Sequence, residues 1–469
     1  MNVEKSNSSE KISKKTAIFY SFAGISDTMS YQMFTFYIFN FYFAVKLLPL
    51  EWVTIGFIIW TIWNAINDPL IGALSDRTST KWGRRKPYIV CGIIPTCIIL
   101  ILLWTPPLTD SNISIFIYFL IIINLFDTFY TMYSLNQTSL FPEMFQNLEQ
   151  RTKANNYVQI FNIIGLLFAA ILPSLFVSEY VEPGHEMEYI SASIFMAIIA
   201  IIFAFIFIVF GLKERKEYSK DPETAPSFFN SVKFTFKNKP FRIYVITNLA
   251  VWYIFGLIPI INPYFLRFNL NISDALTQSL FLALIFVSAI VFMLLWSKIF
   301  AKKGVKNGEL IALGSVIITL MPFLLIWNII GAIFAYIIVG FGFAGIMFGR
   351  DVMMSTIIDY DELETGIRRE GAYYGVNALI IRLSTIAVYL SIALVFGTIG
   401  WKIYDPTIVT EWTHVGLRIL MCILPSIAIG LGILSLIRFP ITKEKDMEIK
   451  KKLEAMHKEK KAKVSRNKH

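Results

Sequence analysis

Residues Trp63–Pro87 read WNAINDPLIGALSDRTSTKWGRRKP. The stretch starts inside a long apolar segment, carries a carboxylate at Asp68 within it, and ends in a loop holding Lys81, Arg84, Arg85 and Lys86. An acid embedded in apolar sequence and followed by a basic turn fits a helix that leaves a bilayer on its positive side. The rest of the chain follows the same pattern. Of its 469 residues, 55% are hydrophobic and 16% charged, and the mean hydropathy is +0.59, too apolar for soluble domains. A hydrocarbon core of about 30 Å needs roughly 20 apolar residues per helix. About a dozen such runs occur, near 17–45, 51–75, 87–105, 112–141, 155–178, 190–212, 241–267, 275–299, 307–328, 330–357, 371–399 and 411–437.

The formal net charge of +10 is distributed by side rather than gathered in a patch. With the start of the chain placed inside, only Lys46, Arg267 and Lys402 of the 43 Lys and Arg fall on the outer side, and Arg350, Arg382 and Arg418 fall within or at the ends of spans. The remainder lie in the inner loops and at both ends. This positive-inside asymmetry predicts cytoplasmic termini and a multi-pass protein of the cell membrane, whose surroundings are the lipid bilayer rather than nucleic acid. The first apolar run is too long for a signal peptide, so it is expected to remain as a membrane helix. Cys91, Cys97 and Cys422 sit in apolar runs without metal-ligand spacing and are expected as small core residues. His185, His414, His457 and His469 form no nucleophile and base constellation, so no catalytic residues, no enzyme activity and no cofactor beyond a coupling ion are expected.

Several polar residues interrupt the apolar runs. Asp27 lies inside the first, where an ionised carboxylate costs at least about 2.5 kcal/mol without a partner, so it is expected to face a cavity. Tyr31, Phe34, Phe36, Tyr37, Phe39, Phe41, Tyr42 and Phe43 crowd the same run, either as a lipid-facing belt or as a stacking wall. In the second run, Asn64 and Asp68 are four apart on one helical face, with Pro69 beside them. Asp68 either pairs with a cationic side chain of another helix or takes up a proton or Na+. Asp127, Thr131, Ser134 and Thr138 form a polar stripe along the fourth run, facing a neighbouring helix or a cavity. Arg382 lies about 17 Å along its helix from Gly371 and needs an anionic partner, for which Asp27, Asp68 and Asp127 are the candidates.

The hydrophilic stretch after the sixth run divides the chain. We expect a cytoplasmic N-tail at 1–16, a six-helix bundle at 17–212, a linker at 213–240, a second bundle at 241–438 and a basic tail at 439–469. The tail is read as solvated, with resting on anionic lipid as the alternative. Asp76, Arg84 and Arg85 on one side, and Asp359, Asp361 and Glu362 at the inner end of the tenth run, are expected as a cytoplasmic gate. Its exposed ion pairs would each be worth only about 0–1 kcal/mol, weak enough to open and close.

Gly24-x-x-Asp27, WNAINDP with the following DRTSTKWGRRKP, Pro142-Glu143 with Arg151, and IIDYDE followed by AYYG resemble the glycoside-pentoside-hexuronide:cation symporters, the melibiose-permease-like group of the major facilitator superfamily. The resemblance covers about Ala17 to Pro440. It implies an all-α membrane protein with the major facilitator fold: about 12 transmembrane helices in two pseudo-symmetric six-helix bundles, working by alternating access as a monomer. Matched by position, it implies a sugar-hydroxyl acceptor at Asp27, a cation ligand at Asp68 with Asn67 and Thr131, and Arg382 and Asn377 close to the two sites. Together with the residues read above, the expected substrate set is Asp27, Tyr31, Asp127, Ser134, Thr138, Asn377 and Arg382, and the expected cation set is Asn64, Asn67, Asp68 and Thr131, with Na+ at Asp68 as one reading. The implied function is symport of a small polar solute, a sugar or glycoside, with H+ or Na+. Sodium-coupled members carry acids where this chain has Asn64 and Ser134, so H+ coupling, or no coupling, gains ground. Asp127 is expected to compensate in part. A lysolipid or other amphipathic solute, and a non-transporting receptor, remain the other readings.

Overall fold

The computed structural model describes residues 13–78, 80–109, 111–145, 148–214, 233–367 and 369–466. Most of the expected N-tail (1–12) and of the expected linker (215–232) lies outside the described residues. Every apolar run foreseen from the sequence coincides with helix. In order these are α1 (Lys14–Asn40), α2 (Leu50–Arg77), α3 (Lys86–Leu102), α4 (Asn112–Met144), α5 (Leu148–Ile171), α6 (Glu186–Ile206), α7 (Lys239–Leu270), α8 (Ala275–Leu320), α9 (Ile329–Thr365), α10 (Glu370–Thr398), α11 (Glu411–Arg418), α12 (Leu424–Leu436) and α13 (Lys443–Arg466). A π-helical turn, Ile419–Ile423, joins α11 to α12, and the two continue as a single apolar span. Eight described helical segments are long and apolar enough to cross a bilayer, and α8 alone covers two of the predicted runs. Gly304, at φ +78°, has a non-helical backbone that separates α8 into two helices, one for each run.

Local sequence explains where the helices begin and end. The side chains of Ser13, Ser111, Asn238 and Asn328 accept from backbone N–H groups in the first turns of α1, α4, α7 and α9, groups that would otherwise lack partners. Gly366 closes α9 in the left-handed conformation that terminates helices.

The surface is that of a protein in lipid. On α2, Ile55, Ile59, Ile62, Ile66, Leu70 and Leu74 form an exposed stripe at helical spacing, while Asn64 and Asn67 are buried behind it. On α4, Ile113, Ile117, Ile121 and Leu125 are exposed and Asp127 and Thr131 are buried. Apolar outside and polar inside reverses the arrangement favoured by water.

The chain divides into two compact units. Unit 1 comprises Met1–Thr224 with the short segments Asp274–Ser279 and Lys402–Pro406; unit 2 holds the rest. In unit 1, α1 lies along α5 and α6, while α4 packs against α2 and α3. Most of the aromatic end of α1 is inside this unit rather than against lipid. Phe34 through Phe43 include seven aromatic residues exposed by no more than 4%. Phe41 meets Trp104 edge-on and Tyr42 packs on Phe119. The lipid-belt reading is therefore corrected for these residues. They fill the space between helices, which composition alone could not distinguish from facing lipid. Cys97 and Cys422 are buried as expected, whereas Cys91 is exposed on α3.

In unit 2, α7 is the central helix, with 72% of its most apolar window buried, and α9, α10, α11 and α12 pack on it. The described part of the tail is not simply solvated, because α13 packs against α9. Ile441, Ile449 and Leu453 are buried, Lys443 Nζ donates to the Lys302 carbonyl at 2.9 Å, and His457 Nε2 meets Glu362 Oε1 at 2.8 Å. Its apolar stripe is sparse and surrounded by Lys, so the sequence reads as solvated until a partner surface is present. Replacing His457 with Ala removes one hydrogen bond from the buried Glu362 and is expected to cost about 1 kcal/mol. Limited trypsinolysis in detergent should then cut within 443–458 several times faster than in the wild type. An unchanged rate would show that the bond does not hold the helix down.

Candidate ion and substrate site

The basic loop between α2 and α3 is built around two carboxylates. Glu143, at the end of α4, accepts from Arg84 Nη2 and Arg85 Nε, both at 2.7 Å. Both arginines are buried, at 6% and 8% exposure. Asp76 adds a 3.2 Å contact to Arg85. Glu214 lies at the N-terminus of α3, where its carboxylate accepts from the backbone N–H groups of Arg84, Arg85 and Lys86 at 2.5, 2.9 and 3.0 Å. A carboxylate there satisfies otherwise unpaired donors and meets the positive end of the helix dipole. Gly83, at φ +110°, brings the backbone so close to Glu214 that a Cβ would strike the carboxylate. Gly83→Ala is therefore expected to cost about 1–3 kcal/mol, read as a lowered melting temperature of the purified protein. No loss would mean that the loop relaxes freely.

Of the gate residues expected from sequence, Asp76, Arg84 and Arg85 thus meet within unit 1. In unit 2, Asp361 accepts two bonds from Arg369, at 2.6 and 2.9 Å, and Glu362 meets His457. Asp359 is half-buried nearby on α9. The sequence reading missed Glu214, Arg369 and His457. Glu143 was noticed only as part of a motif, although an acid directly after Pro142 was a usable signal.

The polar cluster in unit 1 joins α2 to α4. Thr131 Oγ1 donates to Asp68 Oδ1 at 3.0 Å. One turn away along both helices, Asn64 Nδ2 donates to Asp127 Oδ1. Asn67 Nδ2 donates to Asp127 Oδ2 at 3.1 Å and to the Asp127 carbonyl at 3.2 Å. Asn64, Asn67, Asp127 and Thr131 are each exposed by 4% or less. Trp63 Nε1 donates to Thr128 Oγ1 at 3.0 Å beside them. Asp127, expected among the substrate residues, therefore contacts the residues expected to hold the cation. Spacing along one helix could not show this, because the contact depends on how α2 and α4 face each other.

Asp27, on α1, has Ser134 and Tyr130 as hydrogen-bonding neighbours. Tyr130 stacks on Tyr31 with ring centroids 4.8 Å apart. The structure so brings together Asp27, Tyr31 and Ser134, and adds Tyr130, which sequence reasoning passed over as one aromatic among many. Thr138 is exposed, and its hydroxyl lies 3.4 Å from Gln137 Oε1. In unit 2, Asn377 Oδ1 accepts from Asn248 Nδ2 at 2.8 Å, which adds Asn248 to the buried polar set, and Arg382 is half-buried on α10.

The donor chemistry around Asp68 fits an oxygen-seeking monovalent cation. Asn64 Oδ1 and Asn67 Oδ1 are buried carbonyl oxygens with no hydrogen-bond partner, and buried acceptors are rarely left unsatisfied. Like the Asp68 carboxylate and the Thr131 hydroxyl, they are hard oxygen ligands by type. Among the described residues, no group of three or more His, Cys, Asp or Glu side chains could hold a metal ion.

Lipid-facing apolar stripes around helices with buried carboxylates and amides are those of a multi-pass membrane protein. The sequence places it more closely: residues 19–443 match the family of MFS/sugar transport proteins, and the chain belongs to that family. The expected membership of the melibiose-permease-like symporters holds. It is similar to an uncharacterized symporter of Synechocystis sp., 24% identical over 97% of this chain and 99% of that one. The isoprimeverose transporter of Lactiplantibacillus pentosus is 24% identical over 75% of this chain and 73% of its own. A sodium-dependent lysophosphatidylcholine symporter of Xenopus tropicalis is 21% identical over 84% and 81%. The fold resembles that of a crystallised D-xylose-proton symporter, with TM-score 0.64 at 13% identity, covering 92% of this chain and 97% of that one.

Proposed function

We propose that the protein is a secondary active transporter that moves a sugar or glycoside by cation-coupled symport with alternating access, through twelve membrane spans with both termini cytoplasmic. The observation that carries this reading is the Asp68–Thr131 pair beside two buried amide oxygens without partners, in a chain whose family transports sugars. Asn64, Asn67, Asp68 and Thr131 would hold the coupling cation, which offsets the cost of a charged Asp68 in apolar surroundings. Asp27, Tyr31 and Ser134, with Asn377 and Arg382, would take the solute, a carboxylate and an aromatic face being suited to sugar hydroxyls and ring faces. Isoprimeverose is the first solute to try, because a relative transports it. Asp76, Arg84 and Arg85, with Asp359, Asp361 and Glu362, would serve the cytoplasmic gate.

The test is counterflow in proteoliposomes. Labelled isoprimeverose should enter vesicles preloaded with unlabelled sugar faster than it enters protein-free vesicles, and an inward Na+ or H+ gradient should drive its accumulation. The relative that carries lysophosphatidylcholine favours a second reading, transport of an amphipathic solute. Uptake of lysophosphatidylcholine without sugar counterflow would select it. Binding of either solute with no counterflow would indicate a non-transporting receptor.

A further inference from the structure

We infer that Asp127 is a positioning residue for the coupling cation: its carboxylate holds the amide nitrogens of Asn64 and Asn67, so that their carbonyl oxygens are left to ligate Na+. The inference rests on the cation-coupled reading above and goes beyond it by assigning Asp127 to the ion site rather than to the substrate.

A carboxamide has one donor end and one acceptor end, and without a partner either end can point in a given direction. Here both donor ends are committed to one acceptor-only group. Asp127 receives Asn64 on Oδ1 and Asn67 on Oδ2. The opposite ends, Asn64 Oδ1 and Asn67 Oδ1, are consequently fixed as acceptors, and both are buried without a hydrogen-bond partner. At 4% and 0% exposure neither residue can turn to bulk solvent. Two orphaned acceptors, three residues apart on α2, lie on the helix that carries Asp68. A single proton on Asp68 could satisfy only one of them, whereas a cation that binds several oxygens could satisfy both. Groups that orient ligands in this way typically change ion affinity 10–100-fold when removed.

The experiment measures ion binding apart from transport. Purified full-length protein is melted in increasing NaCl at constant ionic strength with choline chloride, and 22Na binding is measured by equilibrium dialysis. Wild type should be stabilised by NaCl with a saturable dependence. Asp127→Asn turns one accepting oxygen into a competing amide, and should raise the half-saturating Na+ concentration about 10–100-fold, while Thr128→Val beside it leaves that concentration unchanged. Asn64→Ala should weaken binding in the wild type but add little in the Asp127→Asn background, because its oxygen is no longer held in place. Should Asp127→Asn fail to fold, Asn64→Ala and Asn67→Ala still test the ligand oxygens directly, and each should weaken Na+ binding. The inference is overturned by equal half-saturation in Asp127→Asn and wild type, by fully additive effects, or by wild type that neither binds 22Na nor is stabilised by NaCl. Failure of the transport reading is seen separately, as absent sugar counterflow in wild type.

Discussion

Replacing Glu143 with Ala is expected to destabilise the protein by about 3–5 kcal/mol, the usual cost of removing one partner from a buried ion pair. The size of the effect follows from what remains. Arg84 and Arg85 are each less than a tenth exposed and share Glu143 Oε1 at 2.7 Å. Without it, among the described residues Arg84 loses its ion-pair partner and Arg85 keeps only Asp76, whose own side chain is half exposed. Glu143→Gln, which keeps an acceptor oxygen but not the charge, should lose less. Thermal melting in detergent checks both. Equal melting of wild type and Glu143→Ala would mean that the two arginines find water or other partners, and that the loop is not held as described.

Asp68→Asn is expected to abolish uphill transport while sparing exchange. With one-to-one coupling, a tenfold cation gradient supports about tenfold accumulation of solute, since about 1.4 kcal/mol corresponds to a factor of ten. In Asp68→Asn the accumulation ratio should fall to about one at equilibrium, because an ion that no longer binds cannot contribute its gradient. Counterflow needs only the solute site and reorientation, so it should persist. The amide can still accept from Thr131, which makes gross misfolding a poor explanation for a selective loss. Full gradient-driven accumulation by the variant would falsify the assignment of Asp68 to the ion.

Residues that stand out in the sequence do so because of their immediate surroundings in the chain. Asn64, Asp68 and Thr131 stand out because polar groups within apolar runs are expensive in a bilayer and need a reason to be there. The helices themselves were legible for the same reason, and among the ends that differ from the expected ones are the start of α5, at Leu148, and the end of α9, which runs on to Thr365. These extensions are polar, so hydropathy ends the run while the backbone hydrogen bonding continues.

What the sequence could not supply were the partners of these residues. Asp127 appeared as one member of a stripe on α4, and only the packing of α4 on α2 set it against Asn64 and Asn67. Glu214 reads as one acid in a charged stretch until the chain returns it to the start of α3, 128 to 130 residues away along the sequence. His457 and the sparse apolar stripe of α13 likewise gained a role only from the end of α9.

By itself, then, the sequence determined the membrane setting, the helices and the family, because hydropathy and short motifs are local along the chain. The tertiary structure alone decided which carboxylate holds which amide or guanidinium, and so why the stretch Trp63–Pro87 is held at its basic end by Glu143 and Glu214. Hydrogen bonds and ion pairs act over about 3 Å, and no pattern along one helix specifies which residue of another will come that close.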